Sequence, residues 1–411
     1  MNVETLAAFK RRSQRQRHAV LDAKVVEHSR RVIAAVKRRG DEAVLAEVRR
    51  FDFRGARVRD LWVGKRELRA AARACPRDLR AALDRSYAAI AAAHRRQRPR
   101  AIAHPGKPFR VDLVPEALRR VGGCVPRGTV GYPSTALMIG APASVAGVRD
   151  LVIASPMPRD GSVDPVLAYA ALAVGASGIY RAGGASAVAA LAYGTQTLAR
   201  VDAIVGPGNA YTTAAKWLAS ADVGIDSLAG PSELVIVASG DADAAALVLD
   251  LEAQAEHGGG PFAALISDDA ALLRLVALAV TKLGAPRGTI GLYRAPSLEA
   301  AVSAAADAAP EHLNLAGRRA ERLASRVRRA GAVFVGSRTA VAFGDYVAGS
   351  NHVLPTGGTA RWASALRVED FIRWTTRVRA TGSVHSAARS GAAVARYEGM
   401  KYHASSMELR S

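Results

Sequence analysis

Apolar and polar positions change rhythm three times along this chain. From residue 1 to about 105, Val, Leu, Ile and Ala recur at helical spacing with Arg between them, as in "KVVEHSRRVIAAVKRRGDEAVLAEVRRF". This spacing predicts amphipathic helices with Arg-coated outer faces, closing on the turn-rich "HPGKPF". From about 119 to 235, short strand-like runs ("DLVIASP", "GIYRAGG", "AIVGPGN") alternate with Ala-rich helical stretches, the rhythm of βαβ units on a parallel sheet. A second such stretch runs from "ELVIVASG" through "FAALISDD" and "TIGLYRAP" to "AGAVFVGS". The expected class is α/β, with two α/β layers. After about residue 365 the strand-like runs stop and a helical tail is predicted, ending "YEGMKYHASSMELRS". So short a tail needs a partner surface for its Ala, Val and Met positions, from its own chain or from a second subunit.

Charge sharpens this picture at one end only. The 411 residues carry 57 Lys and Arg against 36 Asp and Glu, a net of +21. Residues 1–120 hold 31 and 13 of these, a net of +18, which leaves +3 for the rest. The basic character therefore belongs to the helical segment, where it reads as a solvated face. A nucleic-acid face is the competing reading, but the aromatics that would stack on bases are scarce there. Two cysteines, Cys75 and Cys124, cannot build a disulfide framework or a Cys-rich metal site. Residues 128–148 are uncharged, yet Pro133, Pro142 and repeated Gly, Ser and Thr argue for a loop and a buried helix over a membrane span. With no signal peptide evident either, a soluble cytoplasmic protein is expected.

Nine histidines are present. His18, His28, His94, His104 and His385 lack polar constellations and read as surface or incidental residues. His257, His312, His352 and His403 each have companions: Gln254 and Glu256, Glu311, Asp345, and Glu398 respectively. Gly258, Gly344 and Gly349 put glycine-flanked turns beside three of them. Gln254 and His257 stand three apart, on one face if "LEAQAEHGGG" is helical. Taken singly, each His beside a carboxylate is better explained as a structural hydrogen-bonding pair than as a ligand or base. Together, Gln254, His257, Asp345 and His403 would make a nitrogen/oxygen shell suited to zinc or a similar divalent ion. Glu311 and His312 could pass protons near neutrality, with Pro310 favouring an extended Ala309 before them. A Pro-Glu helix start would explain Glu311 but not His312. "VGPGNAYTTAAKW" reads as a glycine turn entering a helix, either a phosphate cradle or an ordinary connection. "AGPSELVIV" places Ser232 and Glu233 just before a strand.

Eight stretches then fall in one order: "YPSTALM", "GGASAVAALAYGT", "VGPGNAY", "DVGIDSLAGPSE", "QAEHG", "APEHL", "GDYVAGSNHVLPTGGTAR" and "YEGMKYH". In these, from about residue 115 to the end, the chain resembles the histidinol dehydrogenase family; the first hundred residues fit only in being helical. The resemblance implies oxidation of L-histidinol to L-histidine through an aldehyde, with two NAD⁺ and one zinc ion per site. It implies zinc ligands Gln254, His257, Asp345 and His403, and an acid-base pair Glu311 and His312. The substrate would meet Ser232, His352 and Glu398 besides Gln254, His257, His312, Asp345 and His403. NAD contacts would fall at Cys124, Ser186 and Asn209. Cys124 and Ser186 depart from the family's Tyr and Gln, and Arg127 replaces a glycine where it could meet a phosphate.

The implied architecture has two Rossmann-like but incomplete parallel-sheet domains, N-terminal helices and a helical C-terminal tail. Its division is a helical segment 1–20, a first domain from 21–118 and 235–365, an NAD-binding-like domain 119–234, and a dimerisation tail 366–411. In the family the tail completes the site of the other subunit of a homodimer. Neither a membrane nor a nucleic-acid partner is expected. Two alternatives remain: a zinc- and NAD-dependent dehydrogenase of another alcohol, such as a sulfonated diol, and a catalytically idle relative whose basic segment binds nucleic acid.

Overall fold

The computed structural model describes residues 1–17, 21–257, 260–283 and 289–411, so His18, Gly258 and Gly259 lie outside the described residues. In chain order it begins β1 (Val3–Thr5), α1 (Leu6–Arg17), α2 (Ala23–Arg39), α3 (Asp41–Phe51), β2 (Trp62–Gly64), α4 (Lys65–Ala72) and α5 (Arg77–Arg95). Next come β3 (Ile102–His104), β4 (Phe109–Ala117), β5 (Arg120–Cys124), α6 (Pro133–Ala146), β6 (Asp150–Ala154), α7 (Pro165–Ala173), β7 (Gly178–Tyr180), α8 (Gly184–Tyr193), β8 (Ala203–Val205), α9 (Ala210–Ala219) and β9 (Gly224–Ile225). The second α/β stretch holds β10 (Glu233–Ala238), α10 (Ala244–Ala255), β11 (Phe262–Ser267), α11 (Ala270–Leu283), β12 (Ile290–Arg294), α12 (Leu298–Ala308), β13 (His312–Ala316), α13 (Arg318–Glu321) and β14 (Ala332–Val335). The chain closes with α14 (Ala342–Tyr346), β15 (Ile372–Ala380), α15 (His385–Tyr397) and α16 (Lys401–Glu408).

Two six-stranded sheets organise these elements. One runs β2-β7-β6-β5-β8-β9, parallel except for the antiparallel edge strand β2; the other runs β1-β12-β11-β10-β13-β14 and is parallel throughout. Every residue of β10 and β11 is buried, as strands covered by helices on both faces must be. The uncharged stretch becomes the buried α6, with Pro133 in its first turn and Gly140 close against Val174. Among the described residues, no helix is long and apolar enough to cross a membrane.

The basic helices have the expected amphipathic form. On α2 the buried residues are Ser29, Val32, Ile33 and Val36, Asp22 caps its start, and Lys37, Arg38 and Arg39 lie at the end where the helix dipole favours cations. Their packing partners differ from the grouping expected of 21–118 with 235–365. Helices α2 and α3 lie with α8 and α9 on one face of the first sheet, and α4 and α5 lie with α6 and α7 on the other. Only β1 and α1 join the second sheet, where Phe9 packs against Phe262 and Tyr293. An apolar stripe states that a helix must be covered, not by which sheet.

A third sheet, β15-β4-β3, is antiparallel, with β15 and β4 paired along nine residues from Ile372↔Ala117 to Ala380↔Phe109. Strands therefore do not stop at 365, and 366–411 is not wholly helical. The alternation of "IRWTTRVRA" is masked because this strand is exposed on most of both sides.

Candidate active site

Helix α12 ends in Ala309, which takes the left-handed conformation (φ 50°, ψ 57°) and not the extended one expected before Pro310. Its N–H still bonds back to the last turn, to the carbonyls of Ala305 and Ala306. The chain then enters β13 through Pro310 and Glu311. Because His312 pairs with Leu234 in register, Glu311 comes beside Ser232 and Glu233 at the amino end of β10. The Ser232 hydroxyl donates to Glu311 Oε2 at 2.7 Å and the Glu233 N–H donates to the same oxygen at 2.8 Å. In return the Glu311 N–H donates to Glu233 Oε2 at 3.3 Å.

Both members of the pair are buried, and burial acts on them in opposite senses. It pushes the Glu311 carboxyl up to about 7, against the Ser232 and Glu233 donors that favour its charge. It lowers the His312 imidazole from its ordinary value, against the attraction of Asp345. His312 Nδ1 lies 3.1 Å from the Glu233 carbonyl, which can only accept. Nδ1 therefore carries the proton of the neutral ring, and Nε2 is left with a free lone pair.

Around this pair stand most of the other expected residues. Gln254 is buried in the last turn of α10, and its amide nitrogen has no hydrogen-bond partner. His257 does not share the helix face as expected, because α10 stops at Ala255. It follows in a turn with its N–H on the Gln254 carbonyl at 3.3 Å. Asp345 sits on α14, its carboxyl raised by burial, and the Asp345 carbonyl lies 3.2 Å from His352 Nδ1. His352 Nε2 meets the Thr135 hydroxyl at 3.1 Å, and burial pushes this imidazole down to about 4. Glu311, His312, Asp345 and His352 each lie within electrostatic reach of His257, so these groups form one cluster.

Glu398 and His403 do not join it within one chain. Helices α15 and α16 pack on each other through Ala392, Ala395 and Ala404, and both residues are exposed. Accordingly, among the described residues no three His, Cys, Asp or Glu are gathered as a metal group. The donor set nonetheless fits zinc. Gln254 offers a buried amide with an unmet polar atom, and the two ends of an amide exchange by a flip. With His257 and Asp345 it supplies nitrogen and oxygen donors but leaves a four-coordinate shell one short.

The first sheet supplies a second feature. Chain order runs β5-β6-β7 to one side and β8-β9 to the other, so a topological switch point lies between the carboxyl ends of β5 and β8. Cys124 ends β5 there, and the Gly206–Asn209 turn follows β8. Asn209 caps α9, its Oδ1 accepting from Tyr211 N and Thr212 N, and it is otherwise exposed. Gly208 leaves the backbone bare, since a Cβ there would lie 2.5 Å from Thr212. That bare turn before a capped helix N-terminus fits a dinucleotide phosphate. Cys124 is buried with its thiol pushed up to about 11, and the Ser186 hydroxyl donates to the Gly183 carbonyl. Both side chains are buried. Arg127 pairs with Asp164.

Three further residues escaped the sequence reading. Glu233, noted only by position, organises Glu311 and His312 through its backbone and carboxylate. His94 is not a surface residue but buried at the end of α5, its Nδ1 on the Ile90 carbonyl at 2.8 Å and its Nε2 3.4 Å from Asn351. Asn351 in turn donates to the Met138 carbonyl and so steadies the loop that carries His352. The signal for His94 was its spacing from Leu83 and Ile90 along one apolar stripe. Among the other histidines set aside, His28 packs edge-on to Tyr211, while His104 and His385 are exposed.

Comparison with known proteins gives the family. The family model described as histidinol dehydrogenase matches residues 15–411, so the match takes in the basic helices that the motifs had left out. A histidinol dehydrogenase of Synechococcus sp. is 42% identical over 396 residues, covering 93% of this chain and 91% of its own. One from Moorella thermoacetica is 42% identical and covers 93% of each chain. Among solved structures, histidinol dehydrogenase from Elizabethkingia anophelis superposes with a TM-score of 0.86 at 29% identity, covering 93% of this chain and 91% of that one. With one fold and near-complete coverage, the chain belongs to the histidinol dehydrogenase family of NAD-dependent oxidoreductases.

Proposed function

We propose that this protein oxidises L-histidinol to L-histidine in two steps at the Glu311–His312 site, with NAD⁺ as the hydride acceptor. The observation that carries the reading is the opposite tuning of that pair: a neutral imidazole with a free Nε2 beside a carboxyl titrating near 7. His312 Nε2 takes the hydroxyl proton as the alcohol becomes the aldehyde. Glu311, ionised in half the molecules near neutrality, takes a proton from the water that adds to the aldehyde. Ser232 and the Glu233 N–H hold the Glu311 carboxylate in place. Gln254, His257 and Asp345 would hold zinc, with His403 as the fourth ligand, and the metal would supply a Lewis acid that fixes the nitrogens of the substrate. Asn209 and the bare Gly206–Gly208 backbone would seat NAD⁺, with Cys124 and Ser186 beneath. His352 and Glu398 would contact the substrate.

We further propose a homodimer in which each tail completes the site of the other copy. The tail helices pack on each other and leave Tyr397, Met400, Tyr402 and Leu409 exposed, and Trp374 and Val378 are exposed on β15. The decisive assay follows NADH from L-histidinol, with a panel of other alcohols alongside. Two NADH per histidine formed are expected, lost with chelator and restored by zinc. NADH from another alcohol in preference would overturn the substrate, and full turnover in chelator would overturn the metal.

A further inference from the structure

Two buried charges beneath the cofactor turn take no part in this chemistry. Lys216 on α9 and Asp226 just after β9 are 2% and 4% exposed at their side chains and pair directly with one another. Apart from the Ser227 N–H, which donates to Asp226 Oδ1 at 2.7 Å, their remaining bonds converge on one residue. Lys216 Nζ donates to the Gly206 carbonyl at 3.0 Å, and Asp226 Oδ2 accepts the Gly206 N–H at 2.7 Å. Both polar groups of a single glycine are thus held by the two halves of one ion pair. Gly206 has φ +102°, and a Cβ there would lie 2.4 Å from the Cys124 carbonyl oxygen. No other residue fits that position.

Stability does not account for such a pair. Burying two charges costs about what their attraction returns, and well-packed apolar residues of similar volume often serve as well or better. Apolar side chains cannot, however, hold a peptide N–H and a carbonyl in a fixed direction. We propose that the Lys216–Asp226 pair is a positioning device for the dinucleotide. It fixes Gly206 and thereby aims the 207–209 turn and the start of α9 at the phosphates, without touching the cofactor itself.

A second set of bonds fastens the segment that leads from Asp226 to the acid-base pair. Asp226 opens the connector 226–232, which leaves the carboxyl end of the first sheet and ends at Ser232 and Glu233, at the amino end of the second. Thr213 of α9 donates to the Ala229 carbonyl at 2.6 Å, and the Gly230 N–H donates to the Thr356 hydroxyl. These bonds hold the connector independently of the ion pair, so loss of the pair is expected to leave Glu311 and His312 in place. The inference rests on the NAD⁺ reading of the crevice.

The double variant K216M/D226N replaces both charges with neutral side chains of similar size and leaves no buried charge unpaired. NADH binding, followed by quenching of protein fluorescence, is expected to weaken about tenfold, with the KM for NAD⁺ rising in step. The kcat, the KM for L-histidinol and the zinc content should stay within about twofold. Unchanged NADH affinity in the folded variant overturns the proposal. So does a joint loss of thermal midpoint, zinc and histidinol affinity, which would make the pair a general strut. Should the double variant fail to fold, K216Q/D226N, which keeps a donor and an acceptor toward Gly206 and leaves no buried charge unpaired, is expected to show the same split at about threefold; no split there also overturns it. Failure of the functional reading looks different: the unmodified protein would make no NADH from L-histidinol, while NADH binding still depended on the pair. An unmodified protein that bound no NADH would overturn both.

Discussion

Glu311 and His312 are adjacent in sequence, yet their protonation is set by residues some eighty positions earlier. "APEHL" announces a carboxylate and an imidazole, but only the register of β13 on β10 brings the Ser232 hydroxyl and the Glu233 peptide to them. E311Q is expected to slow oxidation of the aldehyde by about 10²- to 10³-fold, more than that of the alcohol, because the water loses its base. In the unmodified enzyme, aldehyde oxidation should rise with pH through about 7, and in E311Q this limb should vanish. The stability consequence has the opposite sense. Since the folded-state value lies above the ordinary 4.5, the contribution of Glu311 to stability is full below that value and is lost as pH rises through about 7. E311Q should therefore gain in thermal midpoint over the unmodified protein above pH 7 and not below pH 5. Ala309, beside the pair, holds a backbone conformation that a side chain disfavours by about 1 kcal/mol. A309G is expected to raise the urea midpoint, and A309V to lower it.

The metal-side residues depend on how α10 and α14 meet. "AQAEH" shows Gln254 and His257 at helical spacing, but the helix ends between them, so they approach the site from a helix end and from a turn. The two elements are joined by Asp250 of α10, which accepts the N–H of Val341 at the start of α14 and is pushed up to about 6 by burial. D250A should loosen this joint and weaken zinc binding by about 10-fold, read by competition with a chromophoric chelator. D250N keeps the acceptor and removes the charge. Because the folded-state value is raised, its benefit to the thermal midpoint should appear as pH rises through about 6 and be absent at pH 4. Element types were legible wherever burial imposed a pattern: "LVIVA" and "FAALI" are uniformly apolar and form central strands. They were illegible where it did not, as in β15, whose exposed faces both carry polar residues.

At the scale of the molecule, the proposed metal shell lacks its fourth ligand within one copy, and the tail that carries His403 is exposed. Complementation can test whether the one fills the other. H403A would have a defective tail and a sound body, and H312N the reverse, so each alone is expected to be inactive. Mixed by unfolding and refolding together, they should recover about a quarter of the unmodified activity, since half the dimers would carry one intact site. No recovery would mean that each tail serves its own chain.

The sequence by itself determined the parts: which segments are helices or buried strands, that the basic charge coats the outside of the first helices, and which side chains have the chemistry for protons, metal and phosphate. Those properties are local, because period, charge and donor type are carried by each segment alone. Tertiary structure decided which sheet the helices of 23–95 cover, which tautomer His312 adopts, that Asn209 is exposed while Cys124 is buried, and that Lys216 and Asp226 grip a single glycine. Each of these follows from contacts between residues far apart in the chain, and spacing along the sequence does not encode distance across a fold.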